Sequence, residues 1–325
     1  MGASAFSNCS SLTTFDIPDG MTTMSEHLFF NSGLVTITIS SSVTYIDLSA
    51  LLYCYELEEI IVDEENEVYK SIEGVLLSKD GKILYMYPSN KVVDLYVIPE
   101  GVEIIDETVF KDNQNIVSIT IPSTFSQYPV SLFEGCINLA NLNINEDNPN
   151  YKAMDGFVYS KDGKTLIYCP VAKTGDIVIP EGTEVIGRRA FYEYTTITSI
   201  TLADSVITIG EEAFKNTSIT TIQFSDNCQL RTIENSAFTN AAITNLKLPT
   251  NLETIGAYAF YGCSNIINII FEGNKITEIG NSAFDGSSLR NVYYFGSQGQ
   301  WQRINIGTGN TRLTSASITY NFVSA

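Results

Sequence analysis

Leu246-Lys247-Leu248-Pro249, then Leu252-Glu253-Thr254-Ile255-Gly256, Ala259-Phe260 and Cys263-Ser264-Asn265-Ile266, form one phrase that the chain repeats from end to end. Its centre, Ile-Gly-x-x-Ala-Phe, returns at residues 186–191, 209–214 and 279–284. Weaker copies end at Phe6, Phe29, Leu51, Phe110, Phe133 and Phe238, which makes ten anchors. Seven of the nine spacings between anchors are 22–24 residues, and the other two are 59 and 58. A fixed period of this length is the mark of a stacked-repeat architecture.

Five or six residues after each anchor comes apolar-x-x-apolar-x-apolar, as in Ile116/Ile119/Ile121 and Ile197/Ile200/Leu202. The last two apolar positions alternate with a polar one, and Thr and Ile flank them, so the phrase predicts a short strand. Proline often follows, at Pro18, Pro122 and Pro249, where it ends the strand without removing a ladder donor. Such a strand is too short to stand alone. Stacked coil on coil at about 4.8 Å per rung, the strands make a parallel sheet and the anchors an internal column.

The two long spacings carry matching inserts. Tyr69-Lys70 and the run from Gly74 to Lys82 align with Tyr151-Lys152 and the run from Gly156 to Lys164. Both hold Lys-Asp-Gly-Lys between apolar, aromatic-rich runs, which predicts a β-hairpin. Their bounds are about 67–98 and 149–179.

The succession Ile-Pro, Val/Leu-x-x-Ile-Gly-x-x-Ala-Phe and Cys-x-x-Leu-x-x-Ile resembles the BspA-like class of bacterial leucine-rich repeats over most of residues 5–295. The resemblance implies an α/β solenoid of about ten coils, a single unit over 1–295, with the hairpin inserts. Residues 296–325, which include Trp301 and Ala316-Ser317-Ile318-Thr319-Tyr320, look like the C-terminal β-cap of that class. It also implies a secreted or surface-attached, non-catalytic protein that binds other macromolecules as an adhesin, without shared functional residues. Coils five and eight depart most from the pattern, with Tyr128 and Glu234-Asn235 where Ile and Gly-x are expected.

Composition excludes several function classes. The chain has 18 Lys+Arg against 37 Asp+Glu, a net charge of −19, so nucleic acid and anionic membrane surfaces are disfavoured partners. No stretch approaches the roughly 18 consecutive apolar residues of a spanning helix, and membrane insertion is not expected. A single histidine, His27, leaves no room for multi-histidine metal sites. His27 stands at a variable position of the second anchor phrase and reads as solvated.

Cys9, Cys54, Cys136 and Cys263 each follow an anchor by three residues, on coils that are never adjacent. Two rungs separate the nearest by roughly 9–10 Å, beyond the reach of a disulfide, so they read as buried thiols used as small apolar fillers. Without a Cys-x-x-Cys or Cys/His cluster, no metal or other cofactor is expected. The acidic loops at 63–67 and 145–150 lack the spaced ligands and central glycine of an EF-hand, and read as solvated turns.

Candidate contacts come from the polar positions between the strands' apolar ones. They include Thr36, Thr38, Ser118, Thr120, Asn141 and Asn143, then Thr201, Thr221, Gln223, Asn245 and Tyr293. This neutral, hydroxyl- and amide-rich row suits hydrogen bonds to glycans or protein loops; solvation of the sheet explains it equally well. Tyr85, Tyr87, Tyr159 and Tyr168 in the inserts are candidate hairpin contacts, unless the hairpins pack them against their own coils.

The leading expectation is therefore an extracellular recognition module for protein or glycan. A parallel β-helix polysaccharide lyase or hydrolase would need clustered Asp with Lys or Arg on one face, and the row shows none. A structural spacer within a longer surface protein is the third reading. The chain opens in mid-repeat without a secretory leader; further coils or a cap are expected ahead of it, with any signal peptide removed or outside this stretch.

Overall fold

The computed structural model describes residues 1–128 and 131–323. The chain divides into two compact units, Met1–Asn150 and Tyr151–Ala325, and each is a leucine-rich-repeat solenoid with parallel ladders on two faces.

In the first unit the longer strands form two parallel ladders. One joins Thr14–Asp16, Thr36–Ile39 and Glu59–Val62; the other joins Tyr96–Val97, Ser118–Ile121 and Asn141–Ile144. Alternation decides the faces: Ile37, Ile39, Ile60 and Ile119 are buried, while Thr36, Thr38, Ser118 and Thr120 point outward. Two-residue strands such as Thr23–Met24 and Tyr45–Ile46 make the second face.

Between the faces the chain turns around its anchor. Residues two after each anchor, and two before most of them, adopt left-handed backbone, as His27 (φ 54°) and Asn31 (φ 54°) do around Phe29, and Arg189 (φ 56°) and Glu193 (φ 60°) around Phe191. The Asn, Asp and Gly at several of these places suit that conformation. The aromatic ring is thereby aimed inward, and the next coil continues the turn through backbone bonds such as Phe29 N donating to Ala50 O at 2.8 Å.

The second unit is more regular. Its longer strands are Ile177–Val178, Ser199–Thr201 and Thr221–Gln223, then Asn245–Leu248, Asn268–Phe271, Asn291–Tyr294 and Ser317–Tyr320. Its other face is one nine-stranded sheet. Phe191, Phe214, Phe238, Phe260 and Phe284 stack in order, with centroids 4.9, 5.0, 5.1 and 5.3 Å apart and planes within 12°. Coil eight keeps register despite Glu234-Asn235, because the Asn235 side chain accepts from Ala257 N at 2.8 Å and the Glu234 carboxylate accepts from Glu211 N at 3.0 Å. Where glycine holds this place the backbones close up further: a Cβ on Gly280 would lie 2.3 Å from Ala257 N. For coil five, Tyr128 belongs to no strand, and residues 129 and 130 lie outside the described ones.

The inserts are more than hairpins. Tyr69–Ile72, Val75–Ser78 and Ile83–Met86 form an antiparallel meander whose last strand joins the parallel ladder at Ile104–Ile105. Tyr151–Met154, Phe157–Ser160 and Thr165–Tyr168 do the same against Val185–Ile186. At each predicted turn an aspartate closes the loop. Asp80 Oδ1 accepts from Ser78 Oγ (2.6 Å) and Lys82 N (3.0 Å), and Asp162 repeats this with Ser160 and Lys164.

After each meander comes a complete extra coil, carrying Tyr96–Val97 or Ile177–Val178. Tyr87 and Cys169 hold the anchor positions of these coils. Cys169 N donates to Ala190 O (3.1 Å) as Phe191 N does to Ala213 O, and the Tyr87 ring lies 5.4 Å from that of Phe110. With Ser317–Tyr320 added, the long strands number thirteen among the described residues, against ten coils read from the sequence.

Among the described residues helix is confined to a single 3-10 turn, Leu48–Leu51, and two one-turn helices, Gln298–Trp301 and Thr311–Thr314. The latter pair belongs to the C-terminal segment, where Trp301 packs edge-on against Phe271 (5.7 Å) and Tyr294 (5.1 Å).

Candidate recognition surface

The outward row of the long strands is where sequence placed the contacts. In the first unit Thr36, Thr38, Ser118 and Thr120 are half-buried, whereas Asn141 and Asn143 are exposed. In the second, Thr221, Gln223 and Asn245 are exposed, with Thr201 and Tyr293 half-buried. Parallel register sets these side chains in files across the strands. Ser118 faces Asn141, Ser199 faces Thr221, and Asn245, Asn268, Asn291 and Ser317 follow one another. Asn291 Nδ2 donates to Asn268 Oδ1 at 2.9 Å, and Thr201 Oγ1 to Gln223 Oε1 at 3.2 Å, so the files are partly ordered by their own amides and hydroxyls.

Each unit adds a recess along this face. In the first, Thr36, Glu58, Glu59, Asn90, Lys91 and Val92 line a cleft of about 370 Å³ beside strand Glu59–Val62, where the meander interrupts the ladder. In the second, Asp226, Thr250, Ile270, Glu272, Phe295 and Phe322 line one of about 200 Å³, and the Phe322 ring lies 5.0 Å from Tyr293. Sequence reasoning passed over both, since neither is contiguous in the chain.

Two of the four insert tyrosines are not surface contacts. Tyr87 (3% exposed) and Tyr159 (1%) are buried, Tyr87 because it is an anchor and Tyr159 because it sits on the inward side of the central meander strand. Burial pushes both phenols up to about 12. Tyr85 and Tyr168 are half-buried, and Tyr85 stacks edge-on against Tyr69 at 5.7 Å.

Of the four thiols that the spacing places in the core, Cys54, Cys136 and Cys263 are buried there, as are Cys169 and Cys228. All six cysteines are unbridged. The Sγ of Cys54, Cys136 and Cys263 donates to the carbonyl of the preceding anchor, Phe29 (3.1 Å), Phe110 (2.8 Å) and Phe238 (3.0 Å). Burial raises Cys136 and Cys263 to about 12, which removes thiolate reactivity at neutral pH. Cys9 is half-buried. His27 is part-exposed, with Nδ1 3.5 Å from Glu26 Oε1 and its ring edge-on to Phe30.

The acidic loops carry a structural role that sequence missed. Their carboxylates are exposed, yet Asn66 and Asn148 at their centres are fully buried. Asn66 Nδ2 donates to Ser40 O and Val43 O, both at 2.9 Å, while its Oδ1 accepts from Val68 N and Tyr69 N. Asn148 Nδ2 donates likewise to Pro122 O and Phe125 O. No group of three His, Cys, Asp or Glu suited to a metal ion occurs among the described residues.

The sequence pattern of the BspA type leucine-rich repeat region, in six copies, matches residues 1–79, 85–162 and 184–303. A leucine-rich cell surface protein from Faecalibacterium prausnitzii is similar in structure at 21% identity, with 90% of each chain covered and a TM-score of 0.60. The pneumococcal vaccine antigen PcpA is similar at 17% identity over 97% of this chain and 78% of that one, with a TM-score of 0.54. No curated protein matches the chain.

Proposed function

As a member of the BspA-type leucine-rich repeat family, the chain is, we propose, a non-catalytic recognition module of a bacterial surface, which binds a protein or glycan through the outward row of its long strands. The reading rests on the files of amides and hydroxyls in parallel register, Asn245, Asn268 and Asn291 above all. Donors and acceptors repeated at about 4.8 Å can meet an extended partner along its length. The surface naming of the Faecalibacterium protein supports the location, and the recess beside Thr36 supplies the concave, polar setting that favours specific contacts. The buried, raised thiols of Cys136 and Cys263 support a binding role over a chemical one.

Binding of the purified chain to panels of matrix proteins and glycans tests this. Retention of a partner that is lost when exposed Asn143, Gln223 and Asn245 are changed to lysine, with the melting temperature kept, is the expected outcome. Clean failure across both panels, or binding indifferent to these changes, contradicts it.

A further inference from the structure

We propose that a cleft on the turn side of the first unit, between the Leu51 turn and the Tyr87 turn, receives an arginine side chain of a protein partner. Leu51 holds an anchor position that all nine of the other sequence repeats fill with a phenylalanine, and the extra coil that follows it begins only after the meander. The coil-to-coil bond fails at this point. Asn31 N donates to Leu52 O, and Glu193, Asn216 and Asn240 make the same bond, but the Tyr53 amide makes none among the described residues. A cleft of about 160 Å³ opens between the two turns.

Its walls are apolar, from Leu51, Leu57, Met86 and Val109. Tyr53 and Tyr55, 42% and 52% exposed with rings 5.8 Å apart, stand at its edge. One polar group along the lining lacks a partner among the described residues. It is the Asp112 carboxylate, which makes no hydrogen bond or ion pair among the described residues, whereas neighbouring Lys111 is held by Glu134 at 3.2 Å.

These features select a donor-only cation on an apolar stem. The arginine stem lies along the leucine and methionine walls. Its planar fork supplies paired N–H groups to Asp112, and its face stacks on the exposed rings of Tyr53 and Tyr55. A strongly hydrated ammonium matches this lining less well. The chain's −19 charge steers such a partner in. The cleft does not use the outward row, so its failure would leave the binding panels above to stand on their own.

The test titrates the whole chain with the peptide acetyl-Gly-Arg-Gly-amide and its citrulline counterpart, followed by ligand-observed NMR at about 150 mM salt to screen the overall charge. The arginine peptide is expected to bind, and the citrulline peptide about tenfold more weakly. Asp112→Asn should lower arginine binding by about tenfold with the melting temperature unchanged, and Leu51→Phe should abolish it by filling the cleft. If Leu51→Phe fails to fold, the surface change at Asp112 still decides. Equal binding of the two peptides, arginine binding indifferent to Asp112→Asn, no binding up to about 10 mM, or preferential occupation by a methyl glycoside or acetyl-leucine amide would overturn the proposal.

Discussion

Five phenylalanines stack without a gap from Phe191 to Phe284 in the second unit, while the first unit stacks its rings in two pairs, Phe6 with Phe29 and Phe110 with Phe133, separated by Leu51 and the tilted Tyr87. The same repeat thus yields two kinds of interior. Where a ring meets a ring on both sides, each anchor amide also finds the carbonyl of the next coil, and the turn is closed. Where leucine replaces the ring ahead of a meander, the bond at Tyr53 is missing and the surface opens into a cleft. Regularity builds the scaffold, and its interruptions make the recesses.

Substitution of anchors sharpens this difference most strongly. Phe214→Ala, which removes a ring stacked on both faces, is expected to destabilise by about 3–5 kcal/mol in urea unfolding. Phe6→Ala, at a half-buried ring with one stacked neighbour, should cost about 1–2 kcal/mol. Equal costs would mean that the second unit's column adds nothing beyond ordinary burial.

A smaller effect is expected from the asparagines that tie each meander to the coil before it. Asn66→Ala leaves two buried carbonyls, of Ser40 and Val43, without their donor, and Asn148→Ala does the same to Pro122 and Phe125. Each should cost about 1–3 kcal/mol. A thermal melt unchanged by either substitution would show that water replaces the amide without penalty.

The smallest effect concerns charge. In the first unit the ion pairs Lys82–Glu103 and Lys111–Glu134 lie in solvent, whereas in the second Glu212, only 13% exposed, is held by both Arg189 and Lys215. Burial alone would raise the Glu212 carboxyl, but the hydrogen bonds from Lys215 and Arg189 outweigh it and hold the group below the usual range. A depressed carboxylate contributes stability that is present above its unfolded value of about 4.3 and is lost as pH falls through the lower folded one. Glu212→Gln should therefore narrow the difference in melting temperature between about pH 6 and pH 3 relative to the parent chain. An unchanged difference would remove Glu212 from the account of acid sensitivity.

The repeat itself was fully legible: ten anchors, the strand phrase and the two matching inserts all follow from periodicity. The extra coils were legible in principle, since Tyr87 and Cys169 stand 23 and 22 residues before Phe110 and Phe191, but a tyrosine and a cysteine do not announce themselves as substitutes for phenylalanine. For Tyr87 and Tyr159 the sequence left surface contact and packing against the coil both open, and burial decides for packing. Asn66 and Asn148 were hidden by the carboxylates around them, because hydrogen bonds to another coil's carbonyls leave no periodic trace. The recesses depend on which strands the meanders push apart, a three-dimensional consequence that spacing alone does not carry.

Hydrogen exchange read by mass spectrometry tests the contrast most directly, since protection reports each local opening in place. The amides of Phe214, Phe238 and Phe260, bonded to Ala237, Ala259 and Ala283, should exchange among the slowest in the molecule, and peptides spanning residues 51–55 among the fastest of any anchor turn. Protection at 51–55 equal to that at 212–216, or column amides that exchange as fast as exposed loops, would contradict the account.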